Sequence, residues 1–259
     1  MTISFNNLGN YGHIGNQMFQ YASLKGISKS NNTNFIIPPK ENFGKYYKLN
    51  SNIDDCFELE CERRITNFVP CIEKSFSFDR ELMTSVNTDV DLQGYFQSEK
   101  YFLDIKEDIK KDFTFKQDIL NPSLDFVSQY DELICLHIRR GDYVDNPNHP
   151  IPSLDSYYKV ALSIIGKDLP VLVFSDDPSW CKMQDFFEDD RFLISENDPY
   201  LDLCLMSLCH YHIISNSSFS WWGSWLSDSK MTIAPKNWFG GQAISNNTSD
   251  LYCSNWIIL

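Results

Sequence analysis

The sequence predicts an α/β protein with parallel sheets in two halves of the chain. Short apolar runs are typical of strands that helices cover on both faces. Such runs are "LICLHI" (133–138), "PVLVFS" (170–175) and "YHIIS" (211–215). Helical patterns lie between them, and the alternation of strands with helices predicts a parallel sheet. A polar segment that contains Pro122 separates two such series, which predicts domains over 1–122 and 123–259.

The first half begins with a predicted strand, "TISFNNL" (2–8). A helix is expected from about Gln17, because Phe19, Ala22 and Gly26 form a narrow stripe that suits close packing. "NFIIPP" (34–39) predicts a second strand, which its two prolines end.

The segment that begins at Leu92 predicts a short strand and then a helix that is N-capped near Ser98. One face of that helix is apolar and consists of Phe102, Ile105, Ile109 and Phe113. Residues 41–92 predict no particular element. In the second half, "LDSYYKVALSII" (154–165) and "PYLDLCLMSLC" (199–209) predict helices.

The composition limits the partners of the protein. Its 259 residues carry a formal net charge of −13, which argues against nucleic acid or an anionic membrane as a general partner. No transmembrane segment or signal peptide is visible. This predicts a cytoplasmic protein and leaves peripheral association with the inner face of the membrane open. The eight cysteines show no paired spacing, and we expect most of them to be reduced and packed.

Polar residues follow the predicted strands at the edge where parallel sheets bind ligands. These stretches are "GHIGNQ" (12–17), "RRGDY" (139–143), "SDDPSW" (175–180) and "SNSSFSWWG" (215–223). Alternation along the strand places His137 and Arg139 on one side and Arg140 on the other, where Asp142 would brace it. Helix N-termini after "SDDP" and "NSSF" offer N–H groups to a phosphate. The pattern therefore predicts a site for a nucleoside diphosphate.

Each of these motifs also has a purely structural interpretation. The Arg–Arg–Gly–Asp run is compatible with a cluster of structural ion pairs, and "SDDP" and "SNSSF" are good N-cap sequences. Trp221 and Trp222 are expected to pack a helix rather than to stack on a sugar. His210 and His212 lack metal-ligand spacing, so we expect them to be structural.

Five motifs together resemble those of bacterial-type α1,2-fucosyltransferases (glycosyltransferase family 11), in the same order and with similar spacing. They are "GNQMFQYA" (15–22), "GYFQSEKYF" (94–102), "LHIRRGDYV" (136–144), "VFSDDPSWC" (173–181) and "SNSSFSWWGSWL" (215–226). The resemblance spans nearly the whole chain. The His-x-Arg core and the Ser-Asp-Asp block are also similar to those of core α1,6-fucosyltransferases and protein O-fucosyltransferases.

This resemblance implies a GT-B fold, in which two Rossmann-like parallel-sheet domains face each other across a cleft. It implies GDP-fucose as the donor, bound mainly by the C-terminal domain, and a galactose-containing glycan as the acceptor on the N-terminal side. It also implies inverting transfer of L-fucose to the galactoside 2-hydroxyl group, with no metal or other cofactor.

The resemblance assigns roles to individual residues as well. Arg139 matches the arginine on the β-phosphate, where its guanidinium would stabilise the charge that develops as the sugar–phosphate bond breaks. His137 and Asp176 match positions that contact the guanosine. The full set that matches donor-binding positions is Gly15, Asn16, His137, Arg140, Asp176, Ser217, Ser218 and Phe219.

Three rival functions remain open at this point. One is a phosphate-binding structural protein, which would bind GDP but show no turnover with GDP-fucose. Asp89 and Asp91 match the D-x-D triplet of metal-dependent glycosyltransferases, although such a triplet is common by chance in an acidic chain. A non-catalytic carbohydrate-binding protein would instead bind glycan through its aromatic residues. The sequence alone identifies no general base.

Overall fold

A computed structural model describes residues 1–44, 51–166 and 168–259, and it divides the chain into two compact units. The first unit is Met1–Lys116 with Asn246–Cys253, and the second is Gln117–Ser245 with Ser254–Leu259. The sequence placed the division after residue 122, but Pro122 lies inside a helix that belongs to the second unit. This helix packs on another helix of that unit, so the division falls in front of it.

The described part of the first unit contains a five-stranded parallel sheet. Its strands are β1 (Thr2–Ser4), β2 (Asn34–Ile37), β3 (Glu62–Arg63), β4 (Val69–Ile72) and β5 (Val90–Gln93). Their order in the sheet is β3-β2-β1-β5-β4. The predicted strands at 2–8 and 34–39 correspond to β1 and β2, and β5 starts just before Leu92.

The helices of the first unit are α1 (Ile14–Ser30), α2 (Ile53–Cys56) and α3 (Lys106–Asp112). Helix α1 begins earlier than predicted, because the His13 carbonyl accepts bonds from the N–H groups of both Asn16 and Gln17. The narrow stripe on α1 is confirmed at Gly26. A Cβ atom there would lie 1.9 Å from the carbonyl oxygen of Tyr101, so only glycine permits this approach.

The helix predicted after Ser98 is only partly present. Ser98 caps a short 3-10 turn, Glu99–Tyr101, and α3 does not begin until Lys106. Phe102 and Ile105 have φ angles of −134° and −122°, which lie outside the helical range and interrupt the helix.

The described part of the second unit contains a six-stranded parallel sheet. Its strands are β6 (Ile134–Ile138), β7 (Val171–Ser175), β8 (Phe192–Ile194), β9 (Tyr211–Ile213), β10 (Met231–Ala234) and β11 (Ile257–Ile258). Their order is β11-β10-β9-β6-β7-β8. The three apolar runs of the sequence form β6, β7 and β9, which confirms the α/β prediction.

Helices surround this second sheet. They are α4 (Gln117–Val127), α5 (Lys159–Ile165), α6 (Pro178–Lys182), α7 (Pro199–Leu208) and α8 (Ser218–Leu226). A single π-helical turn, Leu154–Tyr158, leads directly into α5.

Several side chains that were predicted to be structural are confirmed as such. Trp221 and Trp222 of α8 are fully buried. His212 is also buried, and its Nε2 atom lies 2.8 Å from the Met206 carbonyl oxygen. All eight cysteines are free thiols.

Candidate active site

The carboxyl ends of β6, β7 and β9 bring together the polar residues predicted for the second unit. Strand β6 pairs in parallel with β7 on one side and with β9 on the other, so the three ends are neighbours. His137, Arg139 and Arg140 lie at the end of β6, Asp176 follows β7, and Ser217 follows β9. In an open parallel sheet this edge is the usual place for a ligand.

Arg139 is held between two carboxylates. Its Nη1 atom lies 2.9 Å from Oδ2 of Asp176, and its Nη2 atom donates to Oδ1 of Asp142. The guanidinium also lies 5.4 Å from the centre of the Tyr143 ring. The prediction that Asp142 braces Arg140 was therefore wrong, because the turn after β6 directs Asp142 back to Arg139.

Arg140 points to a different set of partners, as the alternation along the strand predicted. Its guanidinium stacks 3.9 Å from the centre of the Trp180 ring, and its Nε atom lies 3.3 Å from Oδ2 of Asp177. Its backbone N–H donates to Asp176 at 2.8 Å. These contacts give Arg140 a bracing role on the loop, and its predicted contact with the donor stays a prediction.

The two aspartates after β7 have different roles. Asp177 is the N-cap of α6 and accepts a bond from the Trp180 N–H at 3.1 Å. Both carboxylate oxygens of Asp176 are engaged, Oδ2 by the Arg139 guanidinium and Oδ1 by the backbone N–H of Arg140. Gly141 packs against it so closely that a Cβ atom would lie 2.3 Å from Asp176 Oδ2. The contact of Asp176 with guanosine stays a prediction.

His137 is a neutral hydrogen-bonding group in this site. Its Nδ1 atom lies 2.8 Å from the Ser220 hydroxyl and 2.9 Å from the Ser215 hydroxyl. Burial lowers the pKa of His137 to about 3, and the nearby positive charge of Arg139 adds to this effect. Within the described residues no hydrogen bond reaches the Nε2 atom, so this atom is the one that a ligand could engage.

The N-terminus of α8 lies beside His137, because Ser220 of its first turn bonds the histidine ring. Ser217 is the N-cap of this helix, and its hydroxyl accepts a bond from the Phe219 N–H at 3.3 Å. The Phe219 ring lies 5.7 Å from the His137 ring. The first-turn N–H groups of a helix carry a partial positive charge and suit a phosphate, which is the role predicted for Ser217, Ser218 and Phe219.

Gly15 and Asn16 belong to the first unit and lie in the first turn of α1 rather than in a loop. The Gln97 side chain donates to Asn16 Oδ1 at 2.7 Å and fixes its amide. Their contact with the donor stays a prediction.

The loop that carries Gln97 is held by a carboxylate. Glu73 accepts bonds from the backbone N–H groups of Tyr95 and Phe96, at 2.8 and 2.9 Å. Phe96 is fully buried and has a φ of +52°, which a residue with a side chain rarely adopts. These bonds hold the unusual backbone conformation just before the residue that bonds Asn16.

Asp89 and Asp91 are used within the first unit's sheet. Asp91 is buried and accepts bonds from the Ser4 hydroxyl and the Asn6 N–H, while Asp89 accepts a bond from the Thr2 N–H. This arrangement does not favour the metal-dependent alternative. Within residues 1–44, 51–166 and 168–259, no group of three His, Cys, Asp or Glu side chains is arranged to hold a metal ion.

Sequence reasoning missed three parts of the site. It did not assign the Asp142–Arg139 pair, the stacking of Trp180 on Arg140, or the two serines on His137. The i,i+3 spacing of Arg139 and Asp142 was a usable signal, but Ser215 and Ser220 meet His137 only through the pairing of β6 with β9.

Comparison with known proteins decides the family. The sequence model described as "Glycosyl transferase family 11" matches residues 2–259. The chain belongs to this family. Similar proteins from Escherichia coli include one named alpha-1,2-colitosyltransferase, which is 33% identical over 95% of this chain and 96% of its own length. A second, the O-antigen biosynthesis glycosyltransferase WbnK, is 31% identical over 74% of this chain and 68% of its own.

Solved structures agree with the fold of this family 11 glycosyltransferase. The fucosyltransferase NodZ from Bradyrhizobium matches with a TM-score of 0.55 and 12% identity, over 87% of this chain and 93% of that one. POFUT1 in complex with GDP matches with a TM-score of 0.50 and 14% identity, over 88% and 94%. At this identity they show the fold alone, which is α/β with two parallel-sheet domains of GT-B type. No helix in the described part of the chain is long and apolar enough to cross a membrane.

Proposed function

We propose that the protein transfers L-fucose from GDP-β-L-fucose to the 2-hydroxyl group of a galactoside, with inversion at the anomeric carbon. The observation that carries this proposal is the position of Arg139. Its guanidinium lies at the end of β6, and the N-terminus of α8 approaches the same strand end through the Ser220–His137 bond. A cation and a helix N-terminus at one sheet edge form a strong site for a diphosphate.

The chemistry follows from the charge that develops during transfer. When the bond between fucose and the β-phosphate breaks, the leaving GDP gains negative charge on that phosphate. Arg139 and the α8 N–H groups bind this charge more strongly in the transition state than in the ground state, which is the condition for catalysis. His137 remains neutral and would contribute hydrogen bonding to the guanosine rather than charge.

The proposal includes transfer without a metal ion, because Arg139 and the helix N-terminus supply the positive charge that a metal would otherwise provide. We expect the initial rate to be the same with and without EDTA. Strict dependence on Mn²⁺ or Mg²⁺ would move the assignment toward a metal-dependent mechanism.

A second donor is supported by one specific observation. The relative that is 33% identical over 95% of this chain is named a colitosyltransferase. Colitose is fucose without its 3-hydroxyl group, so the two donors differ by one polar group. A site that hydrogen-bonds this hydroxyl rejects the donor that lacks it, whereas a site without that bond accepts both.

The experiment is a transfer assay with GDP-fucose and GDP-colitose as alternative donors and a panel of β-galactosides as acceptors. We expect transfer of a deoxy sugar to the galactose residue, with an α1,2 linkage in the product NMR spectrum. The ratio of kcat/KM for the two donors identifies the preferred sugar. Absence of transfer from both donors, or a product that is not linked to a 2-hydroxyl group, would contradict the proposal.

A further inference from the structure

The residue proposed to bind the donor phosphate is already occupied in the free protein. Both terminal nitrogens of Arg139 contact carboxylates, Nη1 with Asp176 and Nη2 with Asp142. A phosphate that binds through both terminal nitrogens competes with these carboxylates, because bidentate binding of an anion uses the planar fork of the guanidinium. Such binding is favoured when one carboxylate leaves Arg139.

The charge of this cluster leads to the same conclusion. Arg139 and Arg140 contribute two formal positive charges, and their partners Asp142, Asp176 and Asp177 contribute three negative ones. The cluster thus carries a formal charge of −1, which repels a diphosphate. Displacing one carboxylate away from Arg139 lessens that repulsion and frees a hydrogen-bond donor at the same time.

The contacts indicate which carboxylate leaves. The side chain of Asp142 is 64% exposed, whereas that of Asp176 is 24% exposed. Asp176 is also held by the Arg140 N–H at 2.8 Å and packs against Gly141, so its displacement would break the turn. Asp142 has solvent to move into, and its departure breaks one exposed ion pair, which is weak in water.

We propose that Asp142 is a positioning residue that holds Nη2 of Arg139 in the free protein and is exchanged for the diphosphate of the donor. The inference rests on the proposed function, since it takes a nucleoside diphosphate as the ligand. In the free protein, the carboxylates of Asp142 and Asp176 together hold the Arg139 guanidinium extended and in a fixed orientation. The incoming phosphate then replaces the Asp142 carboxylate, while Asp176 continues to fix the other nitrogen.

The exchange requires only a side-chain rotation, because the backbone of the turn is fixed independently. The Tyr143 hydroxyl donates to the Asn216 carbonyl oxygen at 3.0 Å. The N–H groups of Tyr143 and Val144 both donate to the Arg140 carbonyl oxygen. The segment Gly141–Tyr143 thus stays in place while the exposed carboxylate of Asp142 swings away.

The test is calorimetric titration of GDP into the wild-type protein and into Asp142→Asn. The asparagine keeps the size of the side chain and removes the competing charge, so we expect GDP to bind about fivefold more tightly. The matched control is Asp145→Asn, which removes the same charge from an exposed position on the same loop. We expect the dissociation constant of this control to stay within about twofold of wild type.

The melting temperature of each free protein separates exchange from a merely structural role. Asp142→Asn should melt no higher than wild type while binding GDP more tightly, which a structural role would not produce. GDP binding to Asp142→Asn that is equal to or weaker than wild type, or tightening of the same size in Asp145→Asn, would overturn the exchange. Failure of wild type and both variants alike to bind GDP would instead contradict the proposed donor, and the exchange with it.

Discussion

At the scale of single residues, the geometry of Arg139 explains why no other side chain should replace it. Its two terminal nitrogens contact carboxylates that come from different strand ends, Asp176 after β7 and Asp142 after β6. A planar fork satisfies both at once, whereas the ammonium group of lysine is a point charge on a flexible stem. The orientation of this fork is what prepares it for a phosphate.

We therefore expect Arg139→Lys to lower kcat by about 100- to 1000-fold, the loss typical of one contact to developing charge. Initial rates with GDP-fucose measure this, and circular dichroism checks that the variant is folded. Arg191→Lys is the matched control, because Arg191 pairs with the exposed Asp168 elsewhere in the second unit. A folded Arg139→Lys protein with near-wild-type turnover would show that this arginine does not stabilise the leaving group.

His137 links the site to the pH dependence of stability. Its pKa lies near 3 in the folded protein, below the ordinary value of 6.5, because the ring is buried beside Arg139. Between these two values the unfolded chain binds a proton that the folded protein does not. The stability contributed by neutral His137 is therefore complete above the unfolded pKa and is lost as the pH falls below it.

Because a fall in pH destabilises the fold through His137, we expect His137→Asn to reduce the loss of stability between pH 7 and pH 5 by about 2 kcal/mol relative to wild type. Urea denaturation at the two pH values measures the difference. Asp202→Asn should instead increase the loss of stability between pH 7 and pH 5. Burial raises the pKa of Asp202 to about 7, so in the wild-type protein a fall in pH protonates this carboxyl in the folded state and stabilises the fold. If the pH dependence of His137→Asn matches that of wild type, His137 is not held neutral by the fold.

At the scale of elements, helix α1 depends on one close backbone contact. Gly26 faces the carbonyl of Tyr101, and an added Cβ atom would lie 1.9 Å from that oxygen. Alanine normally stabilises a helix by up to about 1 kcal/mol over glycine, but overpacking costs about 1–3 kcal/mol or more. Here the neighbour is backbone and cannot rotate away, so the cost should exceed the gain.

Gly26→Ala is thus expected to lower the free energy of unfolding by about 2 kcal/mol. Lys29→Ala, at an exposed position of the same helix, should change it by no more than about 0.5 kcal/mol. Chemical denaturation of both variants provides the comparison. Equal stability of Gly26→Ala and wild type would mean that α1 and the Tyr101 segment are farther apart than the structure places them.

The elements also show what the sequence could and could not predict. Strands β6, β7 and β9 were predictable because their apolar runs are unbroken, and α7 because its cap and length are clear. Strand β8 consists of only three half-buried residues, Phe192–Ile194, which are too few to show the alternation of apolar and polar residues that predicts a strand. Asp142 was assigned to the wrong arginine because Arg139 and Arg140 are both within reach in sequence. The i,i+3 spacing favours Arg139, but it is the turn Gly141–Tyr143 that directs Asp142 to it.

At the scale of the whole molecule, each of the two units consists of two separate segments of the chain. The segment Asn246–Cys253 returns to the first unit, where Asp250 pairs with Lys100 at 2.5 Å and accepts the Phe78 N–H at 3.0 Å. No periodic pattern encodes such a contact, since it joins residues that are far apart in sequence. The five ordered motifs nevertheless identified the family, because each of them falls at a strand end or a helix start that the fold requires.

The most direct test of the account is amide hydrogen exchange of the wild-type protein with and without GDP. The central claim is that the donor nucleotide binds at the strand ends of the second unit. We predict that GDP protects Arg139–Val144, Asp176–Trp180 and Ser217–Ser220 most strongly. Protection confined to the first unit, for example around Asp89–Asp91, or no protection anywhere at a saturating concentration of GDP, would contradict the account.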